Sequence, residues 1–227
     1  MKDNEKGREE NNEVSQIANF KLIKVCGMKF PENIREVAAL QPDFMGFVFY
    51  KKSPRYVRHL DISVLDSLPS SIKKMGVFVN EKLDNILSTV YKYHLDGVQL
   101  HGSELEDKCE KLKEAGLLVI KAFPVESSYN FIVTKPYESV CDYFLFDTKV
   151  PIYGGAGIKF DWSLLNDYKG NIPFFLSGGI SLEDVDDLKK IEHPKFIGVD
   201  LNSKFEIAPG KKNVELLKQF FQLYRYN

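Results

Sequence analysis

From residue 21 onward, short apolar runs of strand length alternate with longer stretches in which apolar side chains recur at helical spacing. The runs at 21–26, 44–49, 73–79, 96–100, 117–123, 142–146, 173–177 and 195–200 predict eight strands. Helical spacing over 31–40, 81–93, 103–116, 181–191 and 211–224 predicts helices between several of them and one after the last. Pro31 suits a first helical turn, Ser181 with Asp184 forms a capping signal, and Gly116 stands where a helix should stop. Strands alternating with helices pair in parallel, so the expected class is α/β and the expected architecture a closed (β/α)₈ TIM barrel in a single domain, 19–227. That length is close to the lower end of about 200 residues for such barrels, which requires short loops. Residues 1–18 read as a disordered polar tail, rich in charge and amides.

Four strands end in one pentad form, a glycine followed by three mostly apolar residues and a polar or aromatic one: Gly46–Tyr50, Gly76–Asn80, Gly97–His101 and Gly198–Asn202. With a two-residue period, the first, third and fifth residues share a face. If that face is the barrel interior, Phe78, Asn80, Gln99, His101 and Asp200 rise toward the C-terminal mouth, where such barrels hold their sites. Ordinary barrel packing accounts for the glycines and apolar positions; it does not account for Gln99 and Asp200.

Composition narrows the partners. The chain of 227 residues is 44% apolar and 28% charged with a net charge of -1, and it has no long basic block, so neither nucleic acid nor a membrane surface is an expected partner. Residues 1–16 lack the apolar stretch of a secretory signal, and no apolar run approaches the roughly 20 residues of a membrane span, so the expected location is cytoplasmic. Cys26, Cys109 and Cys141 are odd in number and widely spaced, against a disulfide framework or a zinc site.

Strand parity puts Leu22, Lys24 and Cys26 on one face, with Cys26 the last inward residue and Lys24 one layer below. A cation so near favours thiolate, the form that accepts a proton. The alternative is a buried cysteine acting as a small apolar side chain. Tyr143, Leu145 and Asp147 repeat the arrangement on the sixth strand, so Asp147 reads either as a half-buried general acid with a raised pKa or as a turn aspartate. The segment after it, "TKVPIYGGAGIKFDW", is long and glycine-rich, suited to a mobile lid. Gly178 and Gly179 follow the seventh strand and Asn202 and Ser203 the eighth, so N–H groups from both turns can converge on a phosphate. Arg55 in "SPRYV" reads as a fork for a carboxylate or as a solvated arginine. This inventory points to acid–base chemistry on a phosphorylated anion.

The motifs "KVCGM", "GFVFYKKSPRYV", "GVFVN", "GVQLHG", "FLFDTK", "GGAGIKFDW", "LSGGI" and "GVDLNSKFEIAPGKK", in this order from about residue 21 to 223, resemble the phosphoribosylanthranilate isomerase family of tryptophan biosynthesis. The resemblance implies a (β/α)₈ barrel, an Amadori rearrangement of N-(5-phosphoribosyl)anthranilate, a small-molecule phosphosugar substrate, and no metal or organic cofactor. It implies Asp147 as the general acid and Cys26 as the general base, a carboxyl pushed up beside a thiol pushed down. It further implies Arg55 at the anthranilate carboxylate, Asp200 near the sugar or in the acid's proton network, Gln99 and His101 lining the site, and Gly178, Gly179, Asn202 and Ser203 at the phosphate. A monomer is expected. Three positions depart from the family's usual pattern: Ala156 replaces a hydroxyl residue before the last glycine of the lid, and Lys204-Phe205 replace a glycine and a small apolar residue. Two other readings compete, an isomerase of the histidine pathway that pairs two aspartates and a barrel that binds a phosphosugar without turnover. Cys26 on the first strand speaks against the former, and the pair of Cys26 with Asp147 against the latter.

Overall fold

The computed structural model describes residues 21–148 and 159–226. The polar tail and most of the glycine-rich segment with Ala156 lie outside the described residues. Eight parallel strands close into a barrel in chain order. They are β1 (Leu22–Cys26), β2 (Phe44–Val48), β3 (Lys73–Phe78), β4 (Gly97–Leu100), β5 (Leu118–Val125), β6 (Tyr143–Thr148), β7 (Phe174–Leu176) and β8 (Phe196–Leu201). Closure sets Lys24 of β1 opposite Phe44 of β2 on one side and Asp200 of β8 on the other.

The connections are economical. Helix α1 (Pro31–Ala38) begins on its proline and buries Ile34, Val37 and Ala38, and α3 (Leu83–Tyr93) stops at His94, whose left-handed φ of 46° lets Leu95 N–H return to the Val90 carbonyl. Helices α2 (Ile62–Asp66) and α4 (Glu106–Glu114) flank the next strands. Between β5 and β6, and between β6 and β7, the crossovers are 3₁₀ helices, Phe131–Tyr137 and Trp162–Asp167. The helix expected over 181–191 divides into a 3₁₀ turn, Leu182–Asp184, and α5 (Val185–Lys189). The capping signal is real: the Asp184 carboxylate accepts from the Ser181 N–H at 2.7 Å and from its hydroxyl at 2.9 Å.

The final helix, α6 (Val214–Tyr226), starts later than its spacing predicts. Lys211 and Lys212 belong instead to a hairpin, in which β9 (Glu206–Ala208) pairs with β10 (Lys211–Lys212) around Pro209 and Gly210.

Two shells of apolar side chains hold the barrel. The outer, between strands and helices, is the larger; the inner fills the lower lumen with Phe44, Met75, Ile120, Ala122, Leu145 and Phe175. Phe44 and Phe175 meet edge to face at 5.3 Å. Fully burying a Leu, Phe or Met side chain stabilises by about 1.5–3 kcal/mol, so this plug closes the lumen from below. The pentad parity holds on β2 and β4 but not on β3. There Met75 and Val77 face the lumen, whereas Gly76 and Phe78 face out, and Phe78 stacks on Phe49 in the outer shell. Phe78 and Leu95 crowd the glycine: a Cβ on Gly76 would lie 2.7 Å from Phe78 Cε2 and 2.8 Å from Leu95 Cδ1. Asn80 leaves the lumen as well, its side-chain oxygen accepting from the Ser103 N–H at 2.8 Å.

Candidate active site

Above the apolar plug the lumen turns polar. Lys24 is wholly buried, and its ammonium donates to Asp200 Oδ1 at 2.9 Å across the β1–β8 seam. Cys26 sits one layer higher, only 4% exposed. Room for both comes from β2: a Cβ on Gly46 would stand 2.7 Å from Cys26 Sγ and 3.2 Å from Lys24 Nζ. Burial pushes the Lys24 amine down, but the charges of Asp200 and Cys26 more than reverse this and keep it an ammonium. Burial pushes the Cys26 thiol up, and the opposing pull of Lys24, with Lys212 behind it, does not cancel the effect. The expectation of a depressed thiol is therefore corrected: the site holds Cys26 above an ordinary thiol, because complete desolvation outweighs the cation below it. Asp200 is likewise pushed up by burial and by Asp147, against the pull of Lys24.

Across the mouth, Asp147 ends the inward face of β6, and its side chain is one quarter exposed. Its Oδ1 accepts from the Thr148 N–H at 2.9 Å, and its Oδ2 lies 3.2 Å from His101 Nε2. Gln99 Nε2 stands 2.7 Å from His101 Nδ1. The ring of His101 is thus held from both sides, by Gln99 at Nδ1 and by Asp147 at Nε2. Gln99 Oε1 is buried without a hydrogen-bond partner among the described residues.

The third group is Arg55, buried at the rim. It grips Glu206 in a fork, Nε to Oε1 at 2.8 Å and Nη2 to Oε2 at 2.6 Å, leaving Nη1 without a hydrogen-bond partner among the described residues. Glu206 also accepts from Lys212 Nζ at 2.8 Å and from the Gly210 N–H at 3.0 Å. Gly27, directly after Cys26, has a φ of 78°, and a Cβ there would strike Arg55 Cδ at 2.6 Å and Asn202 Oδ1 at 2.8 Å. The residue after the thiol is glycine because both side chains pass over it.

The turns after β7 and β8 supply donors. Gly178 and Gly179 take φ values of 94° and 69°, a left-handed backbone that glycine adopts without strain. Neither N–H, nor that of Ser203, has an acceptor among the described residues. Phe205 anchors the second turn by packing fully buried against Phe220 at 5.3 Å, while Lys204 stays exposed.

One cleft gathers Cys26, Arg55, Gln99, His101, Asp147, Asp200 and Asn202, together with Ser177, which precedes the glycine turn. Gly178, Gly179 and Ser203 follow directly on lining residues. The lid falls outside the described residues. Glu206, Lys212 and Ser177 received no role from the sequence; the only trace of the first two is that charged residues flank a Pro-Gly turn. A wider groove on the barrel wall, between Asn130 and Asn171, shows no such convergence of buried groups. Cys109 and Cys141 are buried behind the wall and do not line the cleft.

A family model described as N-(5'-phosphoribosyl)anthranilate (PRA) isomerase matches residues 23–223. An N-(5'-phosphoribosyl)anthranilate isomerase of Parabacteroides distasonis is 48% identical over 203 residues, 88% of this chain and 92% of that protein. The crystal structure of the phosphoribosyl anthranilate isomerase of Thermotoga maritima is 34% identical with a TM-score of 0.79, over 90% of this chain and 98% of that one. A phosphoribosyl anthranilate isomerase in complex with reduced 1-(o-carboxyphenylamino)-1-deoxyribulose 5-phosphate is 31% identical with a TM-score of 0.74, over 90% and 98% of the two chains.

Proposed function

The chain belongs to the N-(5'-phosphoribosyl)anthranilate isomerase family, and from that premise we propose how its barrel mouth carries out the family's reaction. The reaction is the Amadori rearrangement of N-(5-phospho-β-D-ribosyl)anthranilate to 1-(2-carboxyphenylamino)-1-deoxy-D-ribulose 5-phosphate, a step of L-tryptophan biosynthesis. It moves two protons and no net electrons, so it can run on side chains alone, and we propose that no cofactor takes part.

Asp147 protonates the furanose ring oxygen; the C1′–O bond breaks and the anilino nitrogen's lone pair forms a Schiff base. Cys26 then removes the C2′ proton, whose electrons flow into the C1′–N system to give an enolamine. Protonation at C1′ and loss of the 2′-hydroxyl proton leave the ketone. Acid and base must face the same sugar from different sides, and Cys26 on β1 with Asp147 on β6 line one cleft. That juxtaposition carries the proposal. Lys24 and Lys212 favour the thiolate as it forms, which the desolvated thiol needs. His101, fixed by Gln99, directs the carboxyl.

Arg55 Nη1 takes the anthranilate carboxylate, and the N–H groups at Gly178, Gly179 and Ser203, with Asn202, take the phosphate. Holding both anions aligns C1′ and C2′ between acid and base. Asp200 keeps Lys24 in place beneath the thiol. Every one of these groups belongs to a single chain, and we propose a cytoplasmic enzyme that acts as a monomer, with residues 19–227 as its domain and the tail before them without a catalytic part.

The test is the decay of anthranilate-adduct fluorescence on mixing protein with fresh phosphoribosylanthranilate. The expected result is rapid decay, lowered about 10²–10⁴-fold in kcat by Asp147→Asn and by Cys26→Ser. An unchanged kcat in both variants sinks the assignment of acid and base.

A further inference from the structure

Arg55 does not stand alone at the rim. Its guanidinium is held through two nitrogens by Glu206, and the same Glu206 Oε1 receives Lys212 Nζ at 2.8 Å. Lys212 reaches on to the second phosphate turn, donating to Asn202 Oδ1 at 2.7 Å and to the Asn202 carbonyl at 3.3 Å. Its own backbone is pinned to α1, where Asn33 Oδ1 accepts its N–H at 2.6 Å and Asn33 Nδ2 donates to its carbonyl at 3.0 Å. The Lys212 side chain is 0% exposed and that of Glu206 5%, so these bonds run in a desolvated layer where each is worth more than on a surface.

This chain of contacts joins the two ends of the site. At one end lies the fork that faces a carboxylate, at the other the turn that faces a phosphate, and Gly27 lets the two approach over the backbone next to Cys26. The charges sum to one excess positive, two cations on one carboxylate, beside a cleft whose proposed substrate is anionic at both ends. A glutamate taking both Nε and Nη2 also removes the guanidinium's freedom to turn and leaves both N–H groups of Nη1 without an acceptor among the described residues.

We infer that Glu206 and Lys212 are positioning residues that form a buried strut between the carboxylate-binding arginine and the phosphate-binding turn, and that the strut sets the enzyme's preference for a carboxylate-bearing aryl group. The inference rests on the assignment of Arg55 and Asn202 made above. Neither residue touches substrate. Glu206 acts through Arg55, and Lys212 through both Glu206 and Asn202.

The test compares kcat/KM for phosphoribosylanthranilate with that for the phosphoribosyl adduct of aniline, which lacks the carboxylate, followed chromatographically in wild type, Glu206→Gln, Glu206→Asp and Lys212→Met. Inhibition by inorganic phosphate is measured in each. Wild type is expected to prefer the carboxylate-bearing substrate by about 100-fold, the scale of a lost charge-assisted fork. Glu206→Gln is expected to cut the preference to about 10-fold or less with phosphate inhibition retained, Glu206→Asp to fall between, and Lys212→Met to weaken both the preference and the phosphate inhibition. A general loss of structural integrity lowers both substrates together and leaves their ratio where it was; a ratio unchanged in Glu206→Asp and in Glu206→Gln overturns the strut while leaving Arg55 in its role. A wild type that does not discriminate between the two substrates overturns the role of Arg55, and the strut with it.

Discussion

Lys24 Nζ lies 2.9 Å from Asp200 Oδ1, and both side chains are sealed beneath Cys26. The pair places a fixed ammonium under a thiol that burial pushes up. The base form of Cys26 is the thiolate, so kcat/KM of the free enzyme is expected to rise with pH into the alkaline range as the thiol deprotonates. Lys24 gives the largest pull in the other direction. Lys24→Met therefore moves the rising limb to still higher pH and lowers activity at neutrality. Removing one member of a buried pair also costs about 3–5 kcal/mol of stability, so the informative companion is Lys24→Met with Asp200→Asn. The double variant recovers stability and not the limb. A pH–rate profile decides, and a limb that stays in place in both variants removes the electrostatic role of Lys24.

His101 stands between Gln99 and Asp147, its Nδ1 2.7 Å from the amide and its Nε2 3.2 Å from the carboxylate. A ring held from both sides orients the acid and contributes no proton of its own to the proposed steps. Replacing it with Phe keeps the volume and loses one hydrogen bond to an ionisable group, worth about 1.5 kcal/mol or roughly tenfold in rate. The expected signature is a fall in kcat near that size with KM little changed, well short of the loss in Asp147→Asn. Equal losses in the two variants would mean that His101 transfers a proton itself.

The barrel and the placement of Cys26 and Asp147 at its mouth were legible because both depend on the simplest periodicity there is. On β1 and β6, alternation alone puts Cys26 and Asp147 last on the inward face, and the structure agrees. On β3 the same logic misplaces Phe78 and Asn80, since a glycine such as Gly76 marks a close approach without saying on which face it occurs. Glu206 was out of reach for another reason. Its meaning lies in a fork to Arg55 across 151 residues and in a hairpin whose two strands are three and two residues long. The pKa of Cys26 failed as an expectation because counting a neighbouring cation is possible from spacing, whereas complete desolvation is a property of the packed site.

Two glycines with similar backbones separate strain from function. Gly27 and Gly116 have φ values of 78° and 81°, where an alanine is strained in either case by about 1 kcal/mol. Around Gly116 nothing lies within 4 Å of a new Cβ; around Gly27 the same atom meets Arg55 and Asn202. Gly116→Ala is thus expected to lower the melting temperature slightly with kcat/KM unchanged. Gly27→Ala has to push Arg55 and Asn202 off their seats beside Cys26, and kcat/KM should fall by about 10²-fold, the scale of a misplacement near 1 Å. Matching activities in the two variants would show that Arg55 and Asn202 do not need their present seats.

The strut also has an acid limit whose direction follows from its charges. Burial pushes the Glu206 carboxyl up, but Arg55, Lys212 and the Gly210 N–H together outweigh it and hold it below the ordinary value of 4.5. A carboxyl depressed by folding adds stability that is complete above its unfolded pKa and disappears as pH falls through its folded one. Once Glu206 is protonated, Arg55 and Lys212 face each other without a counter-charge, and burial, with a smaller push from Arg55, already holds Lys212 down. Glu206→Gln imposes that state at every pH. Its melting temperature should lie below wild type by a constant margin above about pH 4.5, and the margin should close as the pH is lowered beneath that value. Melting curves of the two proteins from neutral pH down to pH 3 measure it, and a margin that stays constant throughout would mean that Glu206 enters the strut as a hydrogen-bond acceptor and not as a charge.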